Sequence, residues 1–252
     1  MRTSGNTIFI TGGGSGIGRG LAEALHRQGN QVIIGGRRRE RLEGVLAANP
    51  GMAAVEIDVS NPADIERVAA RLIADYPALN VLINNAGIME LDHAAGRQDD
   101  AQMVSTITTN LMGPLRLTSA LVDHLKTQPG ATIIYNSSVL AFVPLAFTAV
   151  YSATKAALHS YVLSQRFLLA DEGVRVLEIA PPWVRTELMN SQEAELAMPV
   201  DDFIAQTMAV LNSGADEVLV EGALPMRNNA GPAEHAFVNA FNTQVTPIFG
   251  GG

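Results

Sequence analysis

Short apolar runs alternate with longer amphipathic segments along most of the chain. Runs rich in β-branched residues predict strands over residues 7–11, 31–35, 53–58, 81–84, 131–136, 175–180 and 217–221. The segments between them predict helices over residues 15–28, 39–47, 62–76, 99–127, 150–171, 200–211 and 232–242. Strands that are apolar on both faces and separated by helices are typical of a parallel sheet with helices on both sides.

Punctuating residues support several of these boundaries. Ser60 or Asn61 is a candidate N-cap ahead of Pro62, and Gly29 and Gly173 stand just past predicted helix ends. No linker rich in proline, glycine or serine and no internal repeat interrupts the alternation. We therefore expect one domain over residues 1–249 and a flexible tail over residues 250–252.

Composition narrows the classes of function. The 252 residues include no cysteine, which excludes disulfide frameworks, thiolate metal sites and cysteine nucleophiles. A net charge of −8 argues against a broad cationic surface, so we expect a small-molecule substrate and no nucleic-acid partner. No apolar run approaches the roughly 20 residues of a membrane span. No signal-peptide core precedes the first strand, so we expect a cytoplasmic protein without a membrane partner.

A glycine-rich segment, TGGGSGIG over residues 11–18, lies between the first strand and the first helix. Glycines at such a turn let the backbone approach a pyrophosphate at the helix N-terminus. The candidate phosphate-binding residues are Gly12, Ser15, Gly16, Ile17 and Gly18. A glycine-rich turn without a ligand is the alternative, which the strand–turn–helix context disfavours.

Tyr151 and Lys155 are four residues apart and therefore share one face of a helix. An ammonium beside a phenol favours the ionised phenol and makes it a better acid. Ser138 follows the fifth strand, so it reaches the same crevice at the carboxyl edge of a parallel sheet. A surface pair on a helix and an ordinary serine cap are the structural alternatives.

Asn110 lies in a long helical pattern in which Pro114 stands four residues later. Proline has no N–H, so the Asn110 carbonyl loses its helical partner and is free to hold a water. This position predicts a bent helix and a candidate element of a proton relay.

Other polar or turn-forming residues follow further strands of the predicted sheet. Asp58 and Val59 follow the third strand, an Asn-Asn-Ala-Gly turn follows the fourth, and Pro181 follows the sixth. Ordinary turns explain each of these alone. Several signals at one sheet edge are harder to explain by coincidence and indicate a ligand crevice.

Together these residues resemble the short-chain dehydrogenase/reductase family, over nearly the whole chain from Thr11 to Val220. The resemblance implies a doubly wound α/β Rossmann fold with a seven-stranded parallel sheet in the order 3-2-1-4-5-6-7. It implies reversible hydride transfer between a nicotinamide cofactor and a carbonyl or secondary alcohol. The implied catalytic tetrad is Asn110, Ser138, Tyr151 and Lys155.

In this resemblance Tyr151 donates the proton, Ser138 polarises the carbonyl oxygen and Lys155 grips the nicotinamide ribose. Asn110 and a water would connect Lys155 to solvent. Further implied cofactor contacts are Asp58, Val59, Asn85, Ala86, Gly87, Pro181, Val184 and Thr186. Pro182 departs from the family, which usually has glycine after the first proline of this segment.

Two other classes of function remain open. One is a protein that binds nicotinamide cofactor as a sensor without turnover, and the other is an isomerase or dehydratase that retains its cofactor. An intact Ser138, Tyr151 and Lys155 disfavours the sensor. An isomerase or dehydratase would show no net change in nicotinamide absorbance.

Apolar residues near the predicted site are candidates for a substrate pocket: Leu140, Phe142, Trp183 and Leu188. They favour an apolar ketone or alcohol, with packing of the core or of a subunit interface as the alternative. The helix over 150–171 carries apolar residues around much of its circumference, so we expect a homodimer or homotetramer.

The residues after the second strand bear on cofactor choice. NAD enzymes of this fold usually place a carboxylate there, whereas this chain has Gly36 followed by Arg37 and Arg38. Arginines bind a 2′-phosphate through charge-assisted hydrogen bonds. We therefore predict NADPH/NADP+ rather than NADH, with a solvated helix start as the alternative.

The five histidines show no metal-ligand spacing, so we expect no metal site. The stretch 217–220 and the later Arg227, Asn228 and Asn229 look similar to a bacterial branch of the family named for D-alanine esterification. That name identifies no substrate.

Overall fold

The computed structural model of the chain describes residues 2–229 and 233–249. Seven parallel strands in these residues form one sheet in the order β3-β2-β1-β4-β5-β6-β7, which confirms the predicted order and fold class. The strands are β1 (Thr7–Thr11), β2 (Gln31–Gly36), β3 (Ala53–Glu56), β4 (Leu79–Asn84), β5 (Thr132–Asn136), β6 (Arg175–Ile179) and β7 (Glu217–Val218). The strand order reverses between β1 and β4, where open parallel sheets bind ligands.

Helices cover both faces of the sheet. The α-helices of the described residues are α1 (Gly16–Arg27), α2 (Arg39–Ala48), α3 (Pro62–Asp75), α4 (Asp100–Ile107), α5 (Gly113–Lys126), α6 (Ala149–Leu169), α7 (Val200–Ser213), α8 (Leu224–Arg227) and α9 (Glu234–Phe249). None of them combines the length and the apolar character that a membrane-spanning helix needs.

Alternate residues of the central strands feed two separate cores. In β1, Ile8 and Ile10 join the core beneath α1 and α7, whereas Phe9 joins the core beneath α3, α5 and α6. All three side chains are fully buried. The sheet is therefore covered on both faces, as its continuous apolar strands predict.

The predicted helix over residues 99–127 is interrupted. α4 and α5 are joined by a π-helical turn at Thr108–Met112, in which the Gly113 N–H donates to the Thr108 carbonyl. Pro114 follows directly, and its missing N–H explains why regular α-helical bonding cannot continue through this point.

Two predicted strands are shorter in the structure. β3 ends at Glu56 instead of residue 58, and β7 ends at Val218 instead of residue 221. Both are edge strands with a single neighbour, so less pairing holds their ends in extended conformation.

Local signals for helix ends are largely confirmed. Asn61 is the N-cap of α3, and its side chain accepts hydrogen bonds from two backbone N–H groups of the first turn. Gly29 and Gly173 have positive φ angles of 84° and 73° beyond helix ends. The expected tail over 250–252 and the expected start of the last helix at residue 232 lie outside the described residues.

Candidate active site

The glycine-rich segment forms a tight turn between β1 and α1. Gly12 and Gly16 have φ angles of 69° and 51°, a conformation that glycine adopts without steric cost. A Cβ atom on Gly18 would lie 2.3 Å from the Gly12 carbonyl oxygen. The turn leaves the N-terminus of α1 open to the adjacent cavity, whose lining includes Gly12, Ser15, Gly16, Ile17 and Gly18.

The ends of β1, β4 and β5 are tied together by polar side chains. Thr11 Oγ1 accepts hydrogen bonds from the backbone N–H groups of Asn85 and Ala86, both at 3.0 Å. Asn85 Nδ2 donates to the Thr11 carbonyl at 2.9 Å, and Asn136 Nδ2 donates to Asn85 Oδ1 at 2.8 Å. These bonds make the floor of the crevice rigid.

A cavity of about 630 Å³ extends along this carboxyl edge of the sheet. On the β2 and β3 side it is lined by Arg37, Arg38, Asp58 and Val59. Near its middle it is lined by Asn85, Ala86 and Gly87. On the β5 and β6 side it is lined by Ser138, Tyr151, Lys155, Pro181, Val184 and Thr186. The structure thus brings residues from six strand ends, those of β1 to β6, to one cavity, as the sequence predicts.

Tyr151 and Lys155 lie one turn apart in α6 and are both buried, with exposed fractions of 7% and 4%. Lys155 Nζ donates to the Asn136 carbonyl at 2.8 Å and lies 5.4 Å from the centre of the Tyr151 ring. Ser138 is a hydrogen-bond partner of the Tyr151 phenol, and its Oγ accepts a bond from the Leu140 N–H at 3.1 Å. The three side chains form one group at the cavity.

Burial controls the acidity of this group. Desolvation raises the pKa of Tyr151 to about 12, and the hydrogen bond with Ser138 acts in the opposite direction. Desolvation lowers the pKa of Lys155 to about 8, against the attraction of Glu178. The shifts of the Tyr151 pKa arise from burial and from Ser138, and the expectation that Lys155 makes the phenol more acidic stays a prediction.

Asn110 lies in the π-helical turn and is 1% exposed. Its Oδ1 accepts from the Ile88 N–H and its Nδ2 donates to the Ile88 carbonyl, both at 2.8 Å. The side chain therefore holds the loop that follows β4, close to Gly87 and Lys155. Thr109, the neighbouring residue, lines the cavity, whereas Asn110 is not among its lining residues.

The β2 side of the cavity carries an additional arginine that was not predicted from the sequence. Arg41, in the first turn of α2, lines the cavity together with Arg37 and Arg38. Glu187, from the loop after β6, lies 2.6 Å from Arg41 and 3.4 Å from Arg38. Arg41 stands three residues after Arg38, the N-cap of α2, and this spacing was a usable signal.

The predicted substrate residues divide into two groups. Leu140, Trp183 and Leu188 line the cavity, whereas Phe142 does not, and this part of the prediction is wrong. Phe142 packs edge-on against His159, with ring centres 5.0 Å apart, and lies beneath Arg227 at 4.9 Å. A single helical turn at Val139–Ala141 directs Leu140 and Phe142 to different neighbours.

Apolar side chains from distant parts of the chain complete the substrate side. Met89 follows β4, Met226 lies in α8, and Phe241 and Val245 lie in α9. Asn242 of α9 donates to the Pro144 carbonyl at 3.0 Å, which fixes α9 beside the loop between Ser138 and Tyr151. The position of Met89 just after the fourth predicted strand was a signal for that residue, and the apolar pattern of the last predicted helix, over 232–242, was a signal for Phe241.

A second polar cluster lies behind Lys155 and was not predicted. His159 Nδ1 lies 2.7 Å from Glu178 Oε2, and Arg227 donates to both oxygens of Glu217 at 2.8 and 2.9 Å. Glu178 and Glu217 are register partners on β6 and β7. Arg227 of α8 adds a positive charge to the cluster. The four residues of this cluster come from α6, β6, β7 and α8, so no sequence motif predicted that they would meet.

Comparisons with known proteins agree with this geometry. The family model for short chain dehydrogenase matches residues 6–197. An uncharacterised oxidoreductase of Bacillus subtilis (strain 168), DltE, is 35% identical over 97% of this chain and 99% of its own length. It confirms the predicted likeness to that bacterial branch. An uncharacterised oxidoreductase of Staphylococcus aureus (strain USA300) is 31% identical over 71% of this chain and 78% of its own length.

Solved structures give the same result. A short chain dehydrogenase from Burkholderia cenocepacia J2315 in complex with NADP has a TM-score of 0.83 and 31% identity, covering 94% of this chain and 97% of its own. A 3-ketoacyl-(acyl-carrier-protein) reductase from Brucella melitensis complexed with NADH has a TM-score of 0.75 and 25% identity, covering 81% and 89%. Because sequence and fold agree over most of the chain, we conclude that this protein is an oxidoreductase of the short-chain dehydrogenase family.

Proposed function

We propose that the protein is an NADPH-dependent reductase of ketones, and in reverse a dehydrogenase of secondary alcohols, that acts on an apolar small molecule. The observation that carries the proposal is the buried group of Ser138, Tyr151 and Lys155, which faces the same cavity as three arginines. A general acid and a site for an anionic cofactor thus share one crevice.

The cavity fits a nicotinamide dinucleotide. Glycine at position 18 lets the turn before α1 pack closely against the helix, since a Cβ there would meet the Gly12 carbonyl oxygen, and the free N–H groups of the helix N-terminus favour the pyrophosphate. Asp58 and Val59 would lie at the adenine, while Pro181, Val184 and Thr186 would hold the nicotinamide. When bound, the cofactor supplies or accepts the hydride.

The protein's own residues handle the proton. Tyr151 is protonated at neutral pH, as an ordinary tyrosine is, and burial raises its pKa further, so the phenol holds a proton to donate to the substrate oxygen during reduction. Ser138 donates a hydrogen bond to the same oxygen and stabilises the charge that develops there. Lys155 holds a positive charge beside the phenol, and Asn110 fixes the adjacent loop.

The choice of NADPH rests on charge. Arg37, Arg38 and Arg41 line the β2 side of the cavity, and β2 ends at Gly36 without a carboxylate. Guanidinium groups match a 2′-phosphate in charge and in hydrogen-bond geometry. The Burkholderia cenocepacia relative was solved with NADP and the Brucella melitensis relative with NADH, so the arginines of this chain are the stronger support.

The choice of an apolar substrate rests on the wall next to Tyr151. Leu140, Trp183, Leu188, Met226 and Phe241 contribute side chains to it. A pocket dominated by such side chains with few polar groups favours an apolar ligand oriented by one carbonyl.

The same proposal includes a homodimer or homotetramer. In α6, Leu163, Phe167 and Leu168 are 45%, 83% and 71% exposed, and Val104 and Ile107 of the neighbouring α4 are 53% and 42% exposed. A large exposed apolar surface on adjacent helices favours association, and a second copy of the chain offers the same surface in return.

The proposal is tested with a panel of aliphatic and aryl ketones assayed with NADPH and with NADH. We expect NADPH oxidation with at least one ketone, and at least about 100-fold lower turnover for Tyr151→Phe with NADPH affinity retained. Cofactor binding without turnover of any substrate would favour a sensor instead. Substrate conversion without net absorbance change would favour an isomerase or dehydratase.

A further inference from the structure

α6 carries three titratable side chains at intervals of four residues. Tyr151, Lys155 and His159 are successive members of one helical face, which packs toward β6. Glu178 of β6 approaches this face, and its Oε2 lies 2.7 Å from His159 Nδ1. The second polar cluster therefore begins at His159, one helical turn beyond Lys155.

Glu178 is a carboxylate in an unusually dry position. Its side chain is 1% exposed, and its Oε1 has no hydrogen-bond partner in the described residues. A buried carboxylate with an unbonded oxygen is costly unless nearby positive charge compensates it. The role of Glu178 therefore depends on which positively charged groups offset the cost of burying its carboxylate.

Glu217 is already neutralised by its own partner. Arg227 donates to both of its oxygens, and this pair of hydrogen bonds lowers the pKa of Glu217. The same bonds raise the pKa of Arg227, with a smaller contribution from Glu178. Glu178 is therefore the carboxylate of the cluster that no guanidinium fork covers.

Lys155 is a buried cation, and a nearby negative charge would offset the cost of its burial. Its ammonium is 4% exposed and hydrogen-bonded to the Asn136 carbonyl. Burial lowers the pKa of Lys155 to about 8, and Glu178 is the charged group that opposes this shift. A buried cation and a buried anion on facing elements offset part of each other's desolvation cost.

We propose that Glu178, held by His159, is a positioning residue that keeps Lys155 charged beside Tyr151. Its effect on catalysis rests on the proposed function, whereas its effect on the charge of Lys155 does not. Glu178 itself is not among the residues that line the cavity, so it acts through Lys155.

Several other titratable or charged groups lie on the elements around Glu178 and Lys155, and the experiment must account for them. On α6 they are Tyr151, His159 and Arg166, and Arg166 Nε donates to the Val176 carbonyl at 2.9 Å. From β7 and α8 they are Glu217 and Arg227. All of these side chains remain when Glu178 alone is replaced, so the replacement removes one carboxylate and no other titratable group.

The chain contains only two lysines, Lys126 and Lys155, so side-chain ¹⁵N-labelled lysine gives two signals. Lys126 is 34% exposed and serves as an internal reference. We expect Glu178→Gln to move the titration midpoint of Lys155 by about one pH unit toward acid, with Lys126 unchanged. Asp216→Asn, which removes an exposed carboxylate paired with Arg175, is the matched control and leaves Lys155 unchanged.

Glu178→Met is a second variant, because it removes the charge without burying an unsatisfied amide. Circular dichroism and thermal melts show which of the two variants is folded. The titration midpoint of Lys155 is then measured by NMR in the folded variant. An unchanged midpoint in a folded variant overturns the proposal. Failure of both variants to fold also overturns it, because Glu178 would then serve stability alone.

Kinetics supply the functional readout. In Glu178→Gln, we expect the rate of ketone reduction to fall at a lower pH than in wild type, by the same shift as the Lys155 titration midpoint. We also expect kcat to drop while KM for the ketone changes by less than about twofold. If wild-type protein reduces no ketone, the proposed function fails and the NMR titration still decides the role of Glu178. If the NMR midpoint moves while the pH profile does not, Lys155 charge is not required and the proposal is overturned.

Discussion

Glu187 and Arg41 form a 2.6 Å ion pair across the cofactor side of the cavity, although 146 residues separate them in the chain. The loop after β6 thereby places a carboxylate among the arginines that are expected to bind a 2′-phosphate. Arg38, 3.4 Å from the other oxygen of Glu187, shares this carboxylate.

Glu187→Gln is expected to tighten NADPH binding by about two- to fivefold, because it frees both arginines and removes repulsion of the phosphate. NADH affinity should change little. Fluorescence titration with both cofactors measures the effect. Glu43→Gln, which breaks the exposed pair with Arg39, is the control. Equal tightening of NADPH and NADH would show that Glu187 acts on a different part of the cofactor.

Arg37→Ala is expected to weaken NADPH binding by roughly ten- to hundredfold, the loss for hydrogen bonds to a charged group. Arg37 is exposed, lines the cavity and makes no hydrogen bond or ion pair with other described residues. Arg39→Ala is a matched control, because Arg39 pairs with Glu43 and does not line the cavity. An equal loss of NADH affinity, or an equal effect of Arg39→Ala, would contradict the assignment.

Ketone reduction is expected to decline as the pH rises through about 8, at saturating NADPH and ketone. The pKa of Lys155 is lowered to about 8, so its ammonium is charged below this pH and neutral above it. The pKa of Tyr151 is raised to about 12, so the phenol stays protonated over the same range. A rate that stays level up to pH 10 would rule out the charge of Lys155 as a requirement.

Gly18→Ala is expected to destabilise the protein by about 1–3 kcal/mol and to weaken cofactor binding. The new Cβ would lie 2.3 Å from the Gly12 carbonyl oxygen and 2.4 Å from Asn85 Nδ2, so the turn must move. Gly44→Ala is the control, since its Cβ meets nothing within 4 Å and alanine favours the helix. Urea unfolding measures both variants, and equal stability of the two would contradict the steric account.

Leu168→Glu is expected to shift the protein toward monomer, because it places a charge in the exposed apolar surface of α6. Leu196→Glu is the control, since Leu196 is 78% exposed but lies in the loop after β6, whereas Leu168 is 71% exposed. Light scattering at micromolar concentration measures the mass. A monomeric wild-type protein, or an unchanged oligomer in Leu168→Glu, would contradict the proposed interface.

Much of the fold follows from local pattern. Continuous apolar strands predict a covered parallel sheet, and the turn before α1 is recognisable because close approach of the backbone demands glycine. Tyr151 and Lys155 are recognisable because one helical turn separates them. Pro114 marks the position at which the helix before β5 becomes irregular, through its missing N–H.

Other features depend on the approach of segments that are distant in the chain. The sheet places Glu178 beneath His159, and the loop after β6 brings Glu187 to Arg41. Phe142 packs with His159 instead of the substrate cavity.

The sequence by itself determined the strand order, through a family resemblance, and the identity of the residues at the strand ends. Only the tertiary structure decided how Tyr151 and Lys155 ionise and which carboxylates face the cations. The physical reason is that hydrophobic periodicity and turn chemistry act over a few neighbouring residues. Desolvation and ion pairing depend instead on every element packed around a group, and that packing exists only in the folded chain.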